Sequence, residues 1–232
     1  MREDDVVYSA AKLFFAYGLG NAMTFPMSVG ASTVLLSGRP TPDSVFDVIK
    51  NEQPSIFFGV PTLYAALLAD PRAGKGAGSA RLRLCVSAGE ALPAHGGGNW
   101  GSRIGLDILD GIGSTGMLHI FLSNRPGELR YGTSGKPVPG YEARIVGEDG
   151  KECGTDEIGE LIVRGASSAE GYWNQREKSR RTFAGEWTYT GDKYVRDAEG
   201  FLRCCGRTDD MFKVSGIWVS PFEVESALVS HE

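Results

Sequence analysis

Apolar residues along this chain follow two rhythms. In the first half, short unbroken apolar runs alternate with stretches at helical spacing; in the second half, short runs are separated by turn residues. Residues 9–17 predict a helix, and Thr33-Val34-Leu35-Leu36 a short strand closed by Gly38. Thr41-Pro42-Asp43 opens a second helix, since a proline in a first turn lacks only an N–H that would have no partner; Val45, Phe46 and Ile49 supply its apolar side. Ile56-Phe57-Phe58 is a continuous apolar run after Pro54, the pattern of a strand buried on both faces. Pro61 opens a helix over residues 63–69, and strands are predicted at 82–86 and 106–109. The helix expected between them, residues 93–102, contains His95-Gly96-Gly97-Gly98, where each glycine costs about 1 kcal/mol relative to alanine. Strand and helix alternating at this spacing predict an α/β fold with a parallel sheet.

From Gly127 the pattern changes. Val138-Pro139-Gly140, Glu148-Asp149-Gly150 and Asp156-Glu157-Ile158-Gly159 are turns flanking short runs at 142–146 and 160–163, so an antiparallel β subdomain is expected. Thr190-Gly191-Asp192 punctuates a run rich in Trp, Tyr and Thr, which should put the acid at a strand end. Gly200 and Gly206 bracket a short strand over 201–205; Arg207-Thr208-Asp209-Asp210 follows, then Lys213, Gly216, Pro221 and a helix start at Phe222-Glu223-Val224-Glu225.

Composition narrows the function classes. At 232 residues the chain can bury a full core as one large domain or two small ones. A net charge of -5 without any basic block argues against nucleic acid as a partner. The uncharged stretch from Phe14 to Leu36 is long enough to span a membrane, but Gly18, Gly20, Asn21, Thr24, Pro26, Ser28 and Gly30 interrupt it, so a buried helix running into a buried strand is expected instead. The acidic start, Met1-Arg2-Glu3-Asp4-Asp5, is unlike the basic opening of a signal peptide. Cys85, Cys153, Cys204 and Cys205 lack C-x-x-C spacing, which suits packing in a reduced, cytoplasmic setting. The 32 glycines, about twice ordinary usage, point to many loops and close backbone approaches.

Ligands of open α/β sheets bind beyond the carboxyl ends of the strands. Two strands run there into small residues: Ser87-Ala88-Gly89-Glu90-Ala91, and Asp110-Gly111-Ile112-Gly113-Ser114-Thr115. Loops of this kind admit a planar ring between backbone segments; ordinary βα turns read the same way. The glycine-bearing stretch 73–79 follows a helix and lacks a G-K-[ST] ending, so it is a surface loop rather than a phosphate cradle.

In their order, these motifs resemble the adenylate-forming superfamily of acyl-CoA ligases, luciferases and peptide-synthetase adenylation domains. The resemblance implies that Asp192 and Arg207 hold the ribose hydroxyls of ATP, a carboxylate accepting and a guanidinium donating. It implies that Gly89, Glu90, Ala91, Asp110, Gly111 and Ile112 enclose adenine and that Thr115 touches phosphate. Phe15-Ala16-Tyr17-Gly18-Leu19-Gly20-Asn21 and Met117-Leu118-His119-Ile120-Phe121 are similar to the benzoate–CoA ligase branch. There Ala16, Tyr17, Gly113, His119 and Ile120 would line a flat apolar slot for the aryl acid. Lys213 and His119 become the candidate catalytic residues, Asp209 the hinge of a rotating C-terminal domain, and Gly216 the passage for CoA. Domains would fall at 1–126 (the α/β part of an AMP-binding domain), 127–206 (β-rich) and 207–232 (hinge and start of a small α+β domain).

The implied reaction joins a benzoate to CoA at the expense of ATP, which becomes AMP and pyrophosphate. The alternatives are a nucleotide- or acyl-binding module without chemistry, or an adenylating domain that loads a carrier protein. Partners would be an aromatic carboxylate, ATP and CoA, with no nucleic acid and no membrane. Three departures bear on activity. The family's phosphate loop would lie before Met1, and its adenylating lysine after Glu232, so the isolated chain is expected to be inactive. The third is Gly116, which stands where the family has a glutamate that ligates Mg²⁺; a glycine offers no carboxylate oxygen to a hard cation.

Overall fold

A computed structural model describes the chain at residues 1–214, 217–219 and 224. It forms two compact units, Met1–Thr133 and Ser134–Glu232.

The first unit is a twisted sheet with helices on both faces. Strand β1 (Val6–Ser9) is followed by a helical segment made of α1 (Ala16–Leu19), a π turn (Gly20–Thr24) and α2 (Phe25–Val29). Then come β2 (Ser32–Val34), α3 (Pro42–Glu52), β3 (Ile56–Gly59), α4 (Pro61–Ala69), β4 (Leu84–Ser87), α5 (Ala94–Ile104), β5 (Ile108–Gly113), a 3₁₀ turn (Thr115–Met117) and β6 (Ile120–Ser123). Their order is β2-β1-β3-β4-β5-β6; the first five run parallel and β6 returns antiparallel to β5.

Period-two alternation divides the strand residues between two cores. On one face Tyr8, Phe57, Cys85 and Ile108 meet Val45, Phe46 and Ile49 of α3, Tyr64 and Leu67 of α4, and Trp100 of α5. On the other, Val7, Ile56, Phe58 and Val86 pack with Tyr17 and Ile120. The α3 start is the expected one: the Thr41 hydroxyl accepts from the Ser44 N–H, and the Ser44 hydroxyl accepts from the Thr41 N–H. Tyr64 and Trp100 meet edge to face at 4.8 Å, and the Tyr64 hydroxyl donates to the Val86 carbonyl at 3.0 Å.

Three expectations are corrected in this unit. Residues 9–17 are not one helix: Val6, Val7, Tyr8 and Ser9 form a strand paired on both sides, and the helix starts only at Ala16. β-branched Val6 and Val7 suit a buried central strand, and that pairing outweighs local spacing. The helix then runs through Gly18 and Gly20 to Val29, because Pro26 falls in the first turn of α2, just after the π turn. Nor is the uncharged stretch wholly buried. Phe14 and Met27 are 81% and 73% exposed, and β2 is the outer strand of this sheet as described. Among the described residues no helix is long and apolar enough to cross a membrane. Finally, Asp110, Gly111, Ile112 and Gly113 belong to β5 rather than to a loop, since β6 folds back and pairs with Gly111, Ile112 and Gly113.

The second unit is antiparallel. It contains β7 (Lys136–Pro137), β8 (Tyr141–Val146), β9 (Gly159–Gly165), α6 (Arg176–Thr182), β10 (Phe183–Ala184), β11 (Trp187–Arg196), β12 (Leu202–Arg207) and the hairpin β13 (Phe212–Val214) and β14 (Ile217–Val219). β9 lies between β8 and β11, while β10 and β12 both pair with β11. Buried Leu161, Val163, Tyr194 and Leu202 form its interior, where the Ser134 and Tyr194 hydroxyls share a hydrogen bond of 2.9 Å. α6 escaped the sequence reading because it buries none of its residues and so shows no apolar period. β11 does not stop at Asp192; it passes through it to Arg196. Gly191, at φ 73°, absorbs an irregularity between Tyr189 and Lys193, so the turn signal marks a bulge. Gly206 likewise lies inside β12 instead of ending it. Gly216 and the helix start expected at Phe222 lie outside the described residues.

Candidate functional site

In the first unit the predicted residues gather at the carboxyl ends of β3, β4 and β5. Tyr17, at the start of the helical segment, is directed onto those ends: its hydroxyl donates to the carbonyls of Gly59 at 3.2 Å and Val86 at 3.4 Å. Burial, with a smaller push from Asp110, holds this phenol far above its ordinary pKa, so it stays a neutral donor. His119 stacks on it with ring centroids 5.5 Å apart, and Phe25 meets the imidazole edge to face at 4.7 Å. His119 Nε2 lies 3.3 Å from the Tyr17 carbonyl, and burial lowers the pKa of the ring.

A strained turn presents this histidine. Leu118, with φ 70° and ψ -51°, forms a γ-turn of the rare hand, in which the His119 N–H donates to the Met117 carbonyl at 2.9 Å. Gly113 pairs with Ile120 just beside it, and a Cβ at Gly113 would lie 2.3 Å from the His119 carbonyl oxygen. Only glycine fits there. Tyr17, Gly113, His119 and Ile120 are thus brought together, and half-buried Ala16 adjoins Tyr17.

The loop residues predicted for a nucleotide base divide by exposure. Gly89, Glu90, Ala91 and Thr115 face solvent, whereas Asp110 and Gly111 are buried. Burial pushes the Asp110 carboxyl up to about 7, against the pull of the nearby Ser87 hydroxyl and the N–H groups of Leu92 and Gly111. The backbone around it is tied down by Asn124, which sequence reasoning missed. Its amide donates to the Asp110 carbonyl at 3.1 Å and the Thr133 carbonyl at 2.7 Å, and its oxygen accepts from the Arg130 N–H at 2.9 Å. The only sequence signal was a polar residue directly after the apolar run of β6.

The second unit carries the predicted ion pair. Asp192 and Arg207 are register partners on β11 and β12, with Arg207 Nη1 2.8 Å from Asp192 Oδ1 and 3.1 Å from the Thr190 carbonyl. The Thr190 hydroxyl accepts from the Asp192 N–H and donates to the Leu161 carbonyl, anchoring the bulge. Burial raises the Asp192 pKa, against the opposing pull of the Arg207 guanidinium and the Thr190 hydroxyl. Asp209 is exposed in the turn after β12, where the Asp210 and Met211 N–H groups donate to the Arg207 carbonyl. Lys213 lies on β13 by its backbone, and its side chain is outside the described residues.

Gly116 offers no side-chain oxygen at the position where a carboxylate ligand to Mg²⁺ is expected. Gly116 occupies the middle of the 3₁₀ turn, and among the described residues no group of three or more acidic, histidine or cysteine side chains could hold a metal.

The chain belongs to the AMP-binding enzyme family, whose model matches residues 1–173. Over 230 residues it is 65% identical to the 4-hydroxybenzoate–CoA/benzoate–CoA ligase of Rhodopseudomonas palustris, covering 99% of this chain and 43% of that protein. Crystal structures of a benzoate CoA ligase from Burkholderia xenovorans LB400 match all of the chain and 46% of theirs, at 53% identity and a TM-score of 0.93. The anthranilate CoA ligase AuaEII, in complex with anthranoyl-AMP, matches all of it and 45% of its own length, at 50% identity and a TM-score of 0.94. The chain therefore spans less than half the length of the relatives it matches.

Proposed function

We propose that the protein carrying this chain is an AMP-forming aryl acid–CoA ligase acting on benzoate or a hydroxylated benzoate. A carboxylate oxygen attacks the α-phosphorus of ATP and the bond to pyrophosphate breaks. The thiol sulfur of CoA then attacks the acyl carbon, and AMP leaves. The observation that carries this reading is the Tyr17–His119 stack beside Gly113 and Ile120, in a chain 65% identical to an aryl acid–CoA ligase.

In this reading Ala16, Tyr17, Gly113, His119 and Ile120 enclose the ring, and neutral His119 adds a polar edge without a buried charge. Gly89, Glu90, Ala91, Asp110, Gly111 and Ile112 border adenine, and Thr115 offers its exposed hydroxyl to phosphate. Asp192 accepts from the ribose hydroxyls while Arg207 holds that carboxylate in place. Asp209 serves as hinge, Lys213 as the catalytic lysine of the thioester step, and Gly216 as the CoA passage. The boundaries at 126/127 and 206/207 belong to the same proposal, as does a reduced, cytoplasmic setting for the four free cysteines. Mg²⁺ is not assigned a ligand, because Gly116 supplies none. The named relatives are ligases, which does not favour a binding module without chemistry.

The test is calorimetric titration of the protein with a non-hydrolysable benzoyl-adenylate analogue. The wild type should bind, and Asp192→Ala should weaken binding by about a hundredfold, since it removes a charged acceptor shared by two hydroxyls. Equal affinity in the two proteins, or none in a folded wild type, would overturn the assignment.

A further inference from the structure

Three buried polar side chains of the first unit have atoms without hydrogen-bond partners, and one of them, Asn21, lies beside the aromatic cluster. Asn21 is 0% exposed, and neither its Oδ1 nor its Nδ2 is bonded. Ser87 Oγ and Asp110 Oδ1 are buried and unbonded in the same way: the hydroxyl is near enough to favour the carboxylate charge, but the two do not reach hydrogen-bond geometry. Buried polar groups in folded proteins are almost always paired, so each such atom calls for an explanation.

The position of Asn21 supplies one. Asn21 follows Tyr17 by one helical turn, on the same face of the segment, and its amide favours ionisation of the Tyr17 phenol, so the two polar groups lie close together. The preceding residue abuts the imidazole: a Cβ on Gly20 would lie 2.5 Å from His119 Cδ2. Ser87 and Asp110, register partners at the carboxyl ends of β4 and β5, alternate instead onto the face covered by α3, α4 and α5 and lie outside this cluster. The unpaired carboxamide of Asn21 therefore borders the cluster proposed to hold the aromatic ring.

We infer that Asn21 is a specificity-determining residue that reads a hydroxyl on the substrate ring. This rests on the aryl acid reading above and narrows it to a hydroxylated benzoate. A carboxamide both donates and accepts, as a phenolic hydroxyl does, whereas a bare ring edge leaves it unpaired. Sites built to bond a substrate hydroxyl discriminate strongly against the analogue lacking it.

The experiment measures kcat/KM of the full-length protein carrying this chain for benzoate and its three monohydroxy isomers. The wild type should prefer one isomer over benzoate by about tenfold or more. Asn21→Leu, close in volume, and Asn21→Ala, smaller, should each lower that ratio by about tenfold, chiefly through KM for the hydroxylated acid. A wild type that favours benzoate over every isomer would overturn the inference without any variant. So would variants that lose activity equally toward all four acids, the signature of a structural role. Turnover of benzoate with no change in ratio sinks the Asn21 assignment alone; no thioester from any aryl acid sinks the aryl acid reading with it.

Discussion

Replacing Asp110 by asparagine should remove a pH-dependent part of the protein's stability. In the folded chain burial raises this carboxyl to about 7 from its ordinary value of 3.8. Between those two values the native state keeps a proton that the unfolded chain has released. Stability from this group is thus fully present below the unfolded pKa and is lost as pH rises through the folded one, by about 1.4 kcal/mol per unit within the window. From pH 5 to pH 8 the loss comes to roughly 2–3 kcal/mol, the curve flattening above 7 as both states become ionised. The asparagine side chain has no proton to lose. It also has one oxygen where the carboxyl had two for the N–H groups of Leu92 and Gly111, a fixed penalty of about 1 kcal/mol that does not vary with pH. Urea unfolding followed by tryptophan fluorescence, at unit steps from pH 5 to pH 8, separates these effects. The stability of Asp110→Asn relative to wild type should climb by roughly 2–3 kcal/mol across the series. Shifts at His119 and Asp192 are common to both proteins and cancel in the difference. A difference that stays constant with pH would show that Asp110 is ionised throughout, and the burial argument would fail.

Two further outcomes follow from the same site. In the full-length protein, Gly116→Glu should raise Mg²⁺-dependent pyrophosphate release by about tenfold or more, because it restores a carboxylate ligand to a hard cation; equal turnover of the two proteins would refute the metal argument. Gly113→Ala should cost about 1–3 kcal/mol of stability and weaken aryl-adenylate binding, since its Cβ would meet the backbone of His119 and Ile120 at 2.3 to 2.7 Å; an unchanged melt and titration would mean that β5 and β6 can part freely.

Much of this protein was legible in its residues. Thr41-Pro42 marked a helix start, Ile56-Phe57-Phe58 a strand buried on both faces, and the turn pairs after Gly127 an antiparallel sheet, because capping, burial and turn chemistry act within a few residues. Thr190-Gly191-Asp192 and Arg207 were singled out for the same reason, their residue types being unusual for plain strands. Other features depended on partners distant in the chain. β1 lies between β2 and β3 because two parallel neighbours complete its backbone bonds, and that pairing displaced the helix expected at residues 9–17. The bulge at Gly191 and the pairing of Gly113 with Ile120 follow from sheet register, which no local pattern sets. The unpaired amide of Asn21, the raised pKa of Asp110 and the strained turn before His119 exist only once several elements close over them. Sequence alone determined which segments could be strands or helices and which residues could do chemistry; the tertiary structure decided which of them lost their water, because burial is a property of the assembled layers and not of any one segment.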